Sequence, residues 1–420
     1  MAGRYFLETL GCPKNQVDSD KLEGTLRAEG LQAADAVEDA DLVVVNTCAF
    51  IEAARQESID TILALSESRR PGARLVVTGC LAERYGDELA GALPEVDLVA
   101  GFGVPVAFGR KPVPEFDLLN LPRPPASAPW AYVKVAEGCD RHCGFCAIPS
   151  FRGPQRSRSL SAVLEEVDAL GVPEIVLVAQ DLASWGIDRT DPERRPRPAG
   201  SARPIVELVD AVARRVERVR MLYLYPSSLD DALVDAIVRT GVPYFDLSLQ
   251  HVSRPLVQRM RRWGEADRFL ERIAAIRAAA PEAVLRSSFI LGYPGETEAD
   301  HDLLLEFLAE ARLDWAGFFT FSQESGTYAA DLDGVVPESL ALERLRECAD
   351  IQDAITAERR AALVGSTARV LVDSPGQARS HREAPEIDGI VHVPGDLAVG
   401  ELVEVRITGA AGPDVWAEMA

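Results

Sequence analysis

The stretch AYVKVAEGCDRHCGFCAIP, residues 131–149, runs from a strand-forming segment into three cysteines, Cys139, Cys143 and Cys146, spaced C-x3-C-x2-C. Thiolates grouped in this way hold zinc or iron–sulfur clusters. A structural zinc normally takes four ligands, and only His142 lies nearby, wedged inside the motif. On a four-iron cluster, three thiolates leave one iron open to a small molecule. A zinc knuckle completed by a distant residue is the alternative at this point.

Outward from that loop, residues 131–362 alternate strand and helix. AYVKV, EIVLVA, RMLYLY, FDLSL, VLRSSFILG and WAGFFTF read as strands, with amphipathic helical runs between them. Six strand–helix units make an incomplete or near-complete parallel barrel, whose functional residues sit at the C-terminal ends of the strands. The cysteine loop falls there. An Arg/Pro-rich run at 188–204 reads as a long surface loop, and a helix over 338–365 closes the segment.

Upstream, residues 1–103 also alternate, as a small parallel sheet flanked by helices. Three cysteines end its strands: YFLETLGC at Cys12, DLVVVNTC at Cys48 and ARLVVTGC at Cys80. Their separations of 36 and 32 residues each match one strand–helix–strand unit of about 30 residues. The three thiols then share the carboxyl edge of the sheet, where parallel sheets bind ligands. That is a second three-thiolate site; buried cysteines that merely follow strands are the plainer reading. A Pro-rich stretch over 104–130 reads as a linker. Residues 363–420 carry short alternating strands and glycine turns, the pattern of a small antiparallel, OB-like β-barrel.

Composition narrows the functional classes. The chain has 420 residues, 47% of them hydrophobic and 26% charged, with seven cysteines and a net charge of −22. Seven cysteines with no secretory-type start are expected to bind metal or do chemistry rather than form disulfides. Apolar runs are strand-length, short of the ~20 residues of a membrane span, so a cytoplasmic location is expected. The acidic balance works against tracking phosphates and favours a basic partner.

The paired three-cysteine sites, with GCPKN, NTC, TGC, GCDRHCGFCAIP and the RG and RSR of Arg152–Arg158, resemble the methylthiotransferase family of radical S-adenosylmethionine (SAM) enzymes over essentially the whole chain. The resemblance implies an auxiliary-cluster domain, a radical SAM barrel and a C-terminal TRAM barrel. It also implies two 4Fe–4S clusters, on Cys12, Cys48 and Cys80 and on Cys139, Cys143 and Cys146, and two SAM molecules per turnover. In that family SAM chelates the open iron, and its cleavage to a 5′-deoxyadenosyl radical starts the insertion of a methylthio group at an unactivated carbon. No catalytic side chain beyond the clusters is implied.

The same resemblance places SAM contacts at Gln180, Asp181, Gln250, Gly292 and Arg156; here Ala-Gln-Asp stands where the family has Gly-Gly-Glu. Gly292 is equally well read as a turn glycine and His251 as a structural histidine, while Arg156 and Arg158 read either as carboxylate-directed or as simply solvated. Cys348 reads as an ordinary helix cysteine.

Members of the family modify an aspartate of small-subunit ribosomal protein S-twelve or an adenosine of tRNA. NTCAFIEAARQESIDTI, YFDLSLQHVS and the run from Ser288 to Ser322 resemble the ribosomal-protein type. Residues 364–420 hold four Arg, no Lys and nine acids, a net −5 that suits a basic protein loop better than tRNA. Flavodoxin or ferredoxin is the expected electron donor. A non-catalytic metal-bound RNA module is the competing class, and it would need closed four-ligand sites.

Overall fold

The computed structural model describes residues 3–106, 117–188 and 203–420. Most of the Arg/Pro-rich run and the middle of the expected linker lie outside these residues. The N-terminal sheet is parallel throughout, in the order β2-β1-β3-β4-β5. Its strands are β1 (Arg4–Thr9), β2 (Gln32–Ala33), β3 (Leu42–Thr47), β4 (Arg74–Gly79) and β5 (Leu98–Ala100), and its helices α1 (Pro13–Ala28), α2 (Glu52–Ser68) and α3 (Cys80–Ala92). Every residue of β3 is buried, as expected of a central strand covered on both faces and built from a continuous LVVV run.

The barrel comprises β6 (Trp130–Lys134), a short hairpin of β7 (Ala136–Glu137) and β8 (Arg156–Ser157), then β9 (Glu174–Val178), β10 (Arg218–Met221), β11 (Tyr244–Gln250), β12 (Val284–Leu291) and β13 (Trp315–Thr320). Two parallel triplets, β10-β9-β6 and β11-β12-β13, are joined by a single parallel bridge from Leu224 to Leu247. Around them run α4 (Ile148–Arg152), α5 (Leu160–Leu170), α6 (Pro204–Ala213), α7 (Asp231–Arg239), α8 (Arg254–Arg259), α9 (Ala266–Ala279), α10 (Glu298–Ala311) and α11 (Glu338–Ala361). Local signals set their ends: Ser159 caps α5 and left-handed Gly171 stops it, and Thr297 with Asp300 forms a capping box on α10. Cys348 is fully buried in the barrel core.

Other parts of the chain fill the barrel interior. Val17 of α1 packs in one cluster with Tyr132, Val178, Leu222 and Tyr244, and Ala384 and Ile387 join the same cluster. The segment 380–388 is held there through Tyr132 Oη to the Pro385 carbonyl at 3.0 Å and Tyr244 Oη to Asp388 at 2.6 Å. The part of the expected linker that is described lies along α1. Leu118 and Leu119 are buried, Lys21 Nζ donates to the Leu121 carbonyl at 2.8 Å, and Arg123 pairs with Asp20.

The C-terminal strands β14 (Thr367–Ser374), β15 (Gln377–Arg379), β16 (Val391–His392), β17 (Leu402–Ala411) and β18 (Asp414–Met419) form a closed barrel in the order β14-β15-β16-β18-β17. One neighbouring pair, β16 with β18, is parallel. Strand directions cannot alternate around a ring with an odd number of members, so an otherwise antiparallel five-stranded barrel must close through one parallel contact.

Candidate functional site

The first trio is built by three neighbouring strand ends. Cys12 caps α1 just beyond β1, Cys48 follows β3, and Cys80 opens α3 directly after β4; β1 pairs with β3 and β3 with β4. The loops touch. Gly11, at φ +96, lies so close to Cys48 that a Cβ would sit 2.9 Å from the Cys48 Cβ and 3.0 Å from its Sγ. Buried Asn15 ties the other edges, donating to the carbonyls of Leu10 at 2.9 Å and Thr47 at 3.0 Å, with its Oδ1 3.6 Å from the Cys80 Sγ. Burial pushes the Cys48 thiol up to about 12. Burial also opposes ionisation of Cys12, but Lys14 and Arg152 reverse the balance and lower it.

The second trio lies in the loop from β7 to α4. Its backbone is pinned by Cys139 N–H to the Gly153 carbonyl at 3.1 Å, Gly144 N–H to that of Met260 at 2.8 Å, and Ala329 N–H to that of Gly144 at 2.8 Å. Arg262 Nη1 donates to the Cys143 Sγ at 3.1 Å, and the backbone N–H of Arg141 to the Cys139 Sγ at 3.4 Å. Both guanidiniums lie over Tyr225, with the carbons 4.0 and 4.3 Å from its ring centre. Burial raises Cys139 to about 11 and Cys146 to about 12.

Arg152, at the end of α4, joins the two sites. Its Nη2 donates to the Cys80 Sγ at 3.0 Å and to Asn15 Oδ1 at 2.8 Å, and its Nη1 pairs with Glu137 at 2.7 Å. Lys134 of β6 pairs with Asp18 of α1 and, at 2.6 Å, with Glu137. Burial alone would raise Glu137, but Arg152 and Lys134 hold it well below the usual carboxylate range. Glu137 also accepts from Gln180 Nε2 at 2.9 Å. A continuous polar chain therefore runs from Cys80 to the mouth of the barrel. Farther along the seam, buried Glu324, in the loop after β13, pairs with Arg55 of α2 and, at 2.7 Å, with Arg84 of α3.

The donor sets suit iron–sulfur clusters better than single ions. Among the described residues no three His, Cys, Asp or Glu side chains close on one metal ion, whereas cluster thiolates each hold a different iron. Both trios have guanidinium N–H groups aimed at sulfur, an arrangement that favours thiolate. Beside the second trio, Gln180 Oε1 and Asp181 Oδ1 are buried acceptors without a partner. Two unsatisfied acceptors here fit a ligand that carries an ammonium group.

The expected contact residues divide. Gln180 and Asp181 line the second trio, and Asp181 also takes Arg141 at 2.6 Å. Gln250 ends β11 in a left-handed conformation, φ +73. Gly292 is occupied structurally: its N–H binds Glu296, and a Cβ would press on Ala341 of α11 at 2.6 Å. Arg156 is exposed and bidentate to Asp117 at 2.8 and 2.9 Å. Arg158 is buried and pairs with Glu166 at 2.7 Å. His251 accepts from the Ser253 N–H and is pushed down to about 4 by burial. Sequence reasoning passed over Lys14, Lys134, Glu137, Arg141 and Arg262. The signal available for Lys134 was a lysine inside an otherwise apolar strand.

Three family models match the chain: an uncharacterized protein family, UPF0004, over residues 4–101, the radical SAM superfamily over 133–308 and the TRAM domain over 364–420. The ribosomal protein uS12 methylthiotransferase RimO of Moorella thermoacetica is 42% identical, with 96% of each chain covered. That of Streptomyces coelicolor is 40% identical over 98% of this chain and 96% of its own. Among solved structures, the radical SAM methyltransferase TsrM from Kitasatospora setae, with cobalamin and a [4Fe–4S] cluster bound, aligns at a TM-score of 0.50 and 14% identity over 95% of this chain and 84% of that one, a likeness of fold.

Proposed function

The chain belongs to the family of ribosomal protein uS12 methylthiotransferases, and we propose from that premise how its residues divide the work. It is a radical SAM transferase that uses SAM and 4Fe–4S clusters, and it adds a methylthio group to uS12. The carbon modified is the β-carbon of an aspartate. Cys139, Cys143 and Cys146 hold the cluster that binds SAM, and Cys12, Cys48 and Cys80 hold the auxiliary one. When bound, these groups supply a radical able to take hydrogen from an unactivated carbon and the sulfur that replaces it.

The protein's part is placement and charge. Gln180 Oε1 and Asp181 Oδ1 accept from the ammonium of SAM, while Arg141 and Arg262 balance the thiolates beside them. Arg152 stabilises negative charge on Cys80 from the opposite loop and fixes the distance between the sites. Flavodoxin or ferredoxin delivers the electron. tRNA is not the substrate: the acidic terminal barrel, with Asp396, Glu401, Glu404 and Glu418 on its surface, is a poor phosphate tracker.

The observation that carries this division is Arg152, at the end of the helix that follows the second cysteine loop, which donates to a thiol of the first site. Anaerobic reconstitution tests it. About eight irons per chain and SAM-dependent methylthiolation of uS12, read by mass spectrometry, are expected. Zinc alone, or one cluster, would refute it.

A further inference from the structure

Lys14 is the second residue of α1, two positions past Cys12. Its ammonium lies 3.4 Å from the centre of the Tyr223 ring, in the loop that follows β10. The charges that act on it most strongly are those of Cys12, Arg152, Asp246 of β11 and Cys80. The side chain therefore spans the seam between the auxiliary trio and the barrel mouth, half-buried.

Its neighbours are all paired. Lys134 has Asp18 and Glu137, Arg152 has Glu137, Arg141 has Asp181 and Arg286 has Asp246 at 2.9 Å. Asp246 is also held by the Tyr223 N–H, which its other oxygen accepts at 2.9 Å. Among the described residues no carboxylate pairs with Lys14. The aromatic face attracts its charge but accepts no N–H···O bond, so three donors remain for a ligand. Beyond the Cys12 thiol, whose ionisation it favours, a half-buried ammonium with free donors is stabilised further when an oxyanion joins it.

We propose that Lys14 binds the side-chain carboxylate of the residue that is modified, and so selects an acidic side chain. This rests on the ribosomal-protein reading above. In an aspartate the β-carbon is bonded directly to the carboxylate carbon. Anchoring the carboxylate at Lys14 therefore leaves the β-carbon one bond from the anchor, between the auxiliary thiols and the strand ends of the barrel. A nucleobase brings no anion to this point and leaves the lysine unpaired, which penalises it by the same logic. The carboxylate of SAM shares this chemistry, but the free acceptors Gln180 and Asp181 sit with the other trio.

The test compares reconstituted wild-type enzyme with Lys14→Met and Lys14→Arg on purified uS12 and on uS12 with its target aspartate changed to asparagine. Lys14→Met should lower kcat/KM for uS12 by about 10- to 100-fold, as for loss of a charged hydrogen bond. KM for SAM should stay at the wild-type level, and kcat/KM should fall by more than any loss of iron per chain accounts for. Lys14→Arg should recover part of the loss, and the preference for aspartate over asparagine should shrink in Lys14→Met. Unchanged kcat/KM for uS12 overturns the inference. So does a rise in KM for SAM alone, which would assign Lys14 to the carboxylate of SAM, or a fall in kcat/KM that iron loss fully accounts for, which would assign it to the cluster. Unmodified uS12 with wild-type enzyme overturns the ribosomal-protein reading, and this inference with it.

Discussion

The loop of Cys139, Cys143 and Cys146 and the trio Cys12, Cys48 and Cys80 present the same three thiols by opposite routes. The loop is local: eight consecutive residues carry every ligand, and a few backbone hydrogen bonds to Gly153, Met260 and Ala329 fix its course. The trio is assembled: 68 residues of chain separate its ends, and its geometry exists only when β1, β3 and β4 pair in register. A local motif needs a scaffold to hold it, whereas an assembled one is itself a product of the sheet. Arg152 belongs to both, and therefore couples the formation of one to the position of the other.

The sharpest test of this difference is substitution of one thiol in each set. Cys143→Ala should abolish both SAM cleavage and methylthiolation. Cys48→Ala should abolish methylthiolation while leaving 5′-deoxyadenosine release measurable, with iron falling by about half in each. Equal loss of SAM cleavage in both would break the division.

Next in size is Arg152→Met, which leaves Asp18 and Glu137 short of a buried cation and Cys80 without its donor. Removing one member of a buried pair costs about 3–5 kcal/mol. A lowered thermal midpoint should appear together with selective loss of auxiliary iron; loss from the second site alone would reverse the roles. Glu324→Gln removes the carboxylate shared by Arg55 and Arg84 and should cost about 3 kcal/mol. Faster proteolysis along the seam is the measurement, because this contact holds α2 and α3 against the barrel.

The smallest effect is acid sensitivity. His251 is fully buried and neutral, pushed from 6.5 to about 4. The unfolded chain therefore binds more protons between those values, so stability is lost as pH falls below 6.5 and the loss levels off near 4. At pH 5 this amounts to about 2 kcal/mol. Imidazole NMR shifts should show no titration above about pH 5, and His251→Asn should flatten the stability profile between pH 5 and 7.

How much was legible follows from the range of the interactions. The strands were readable because β-branched runs such as LVVV and EIVLV bury both faces, and the cysteine ends followed from the strand period. The surroundings of the expected contact positions at strand ends were harder to read. Gln180 and Asp181 do face the second trio, but Gly292 is spent on α11 and Arg156 on Asp117, partners 49 and 39 residues away in sequence. Nothing local marks such partners. The Pro-rich stretch after residue 104 carried turn signals, yet Leu118 and Leu119 are buried and Leu118 clusters with Leu22 and Leu26 of α1, since removing apolar side chains from water is favourable.

By itself the sequence determined the periodic features: a parallel sheet, a six-stranded parallel barrel, a small terminal barrel, and two sets of three cysteines each lacking a fourth. These depend on spacing, and spacing is written along the chain. Only the tertiary structure decided which charges meet: Arg152 with Cys80, Lys134 with Asp18, Glu324 with two arginines, and Lys14 with an aromatic ring and no carboxylate. Each pairs groups more than 70 residues apart, and burial away from water, which a linear pattern does not specify, is what makes those pairings strong.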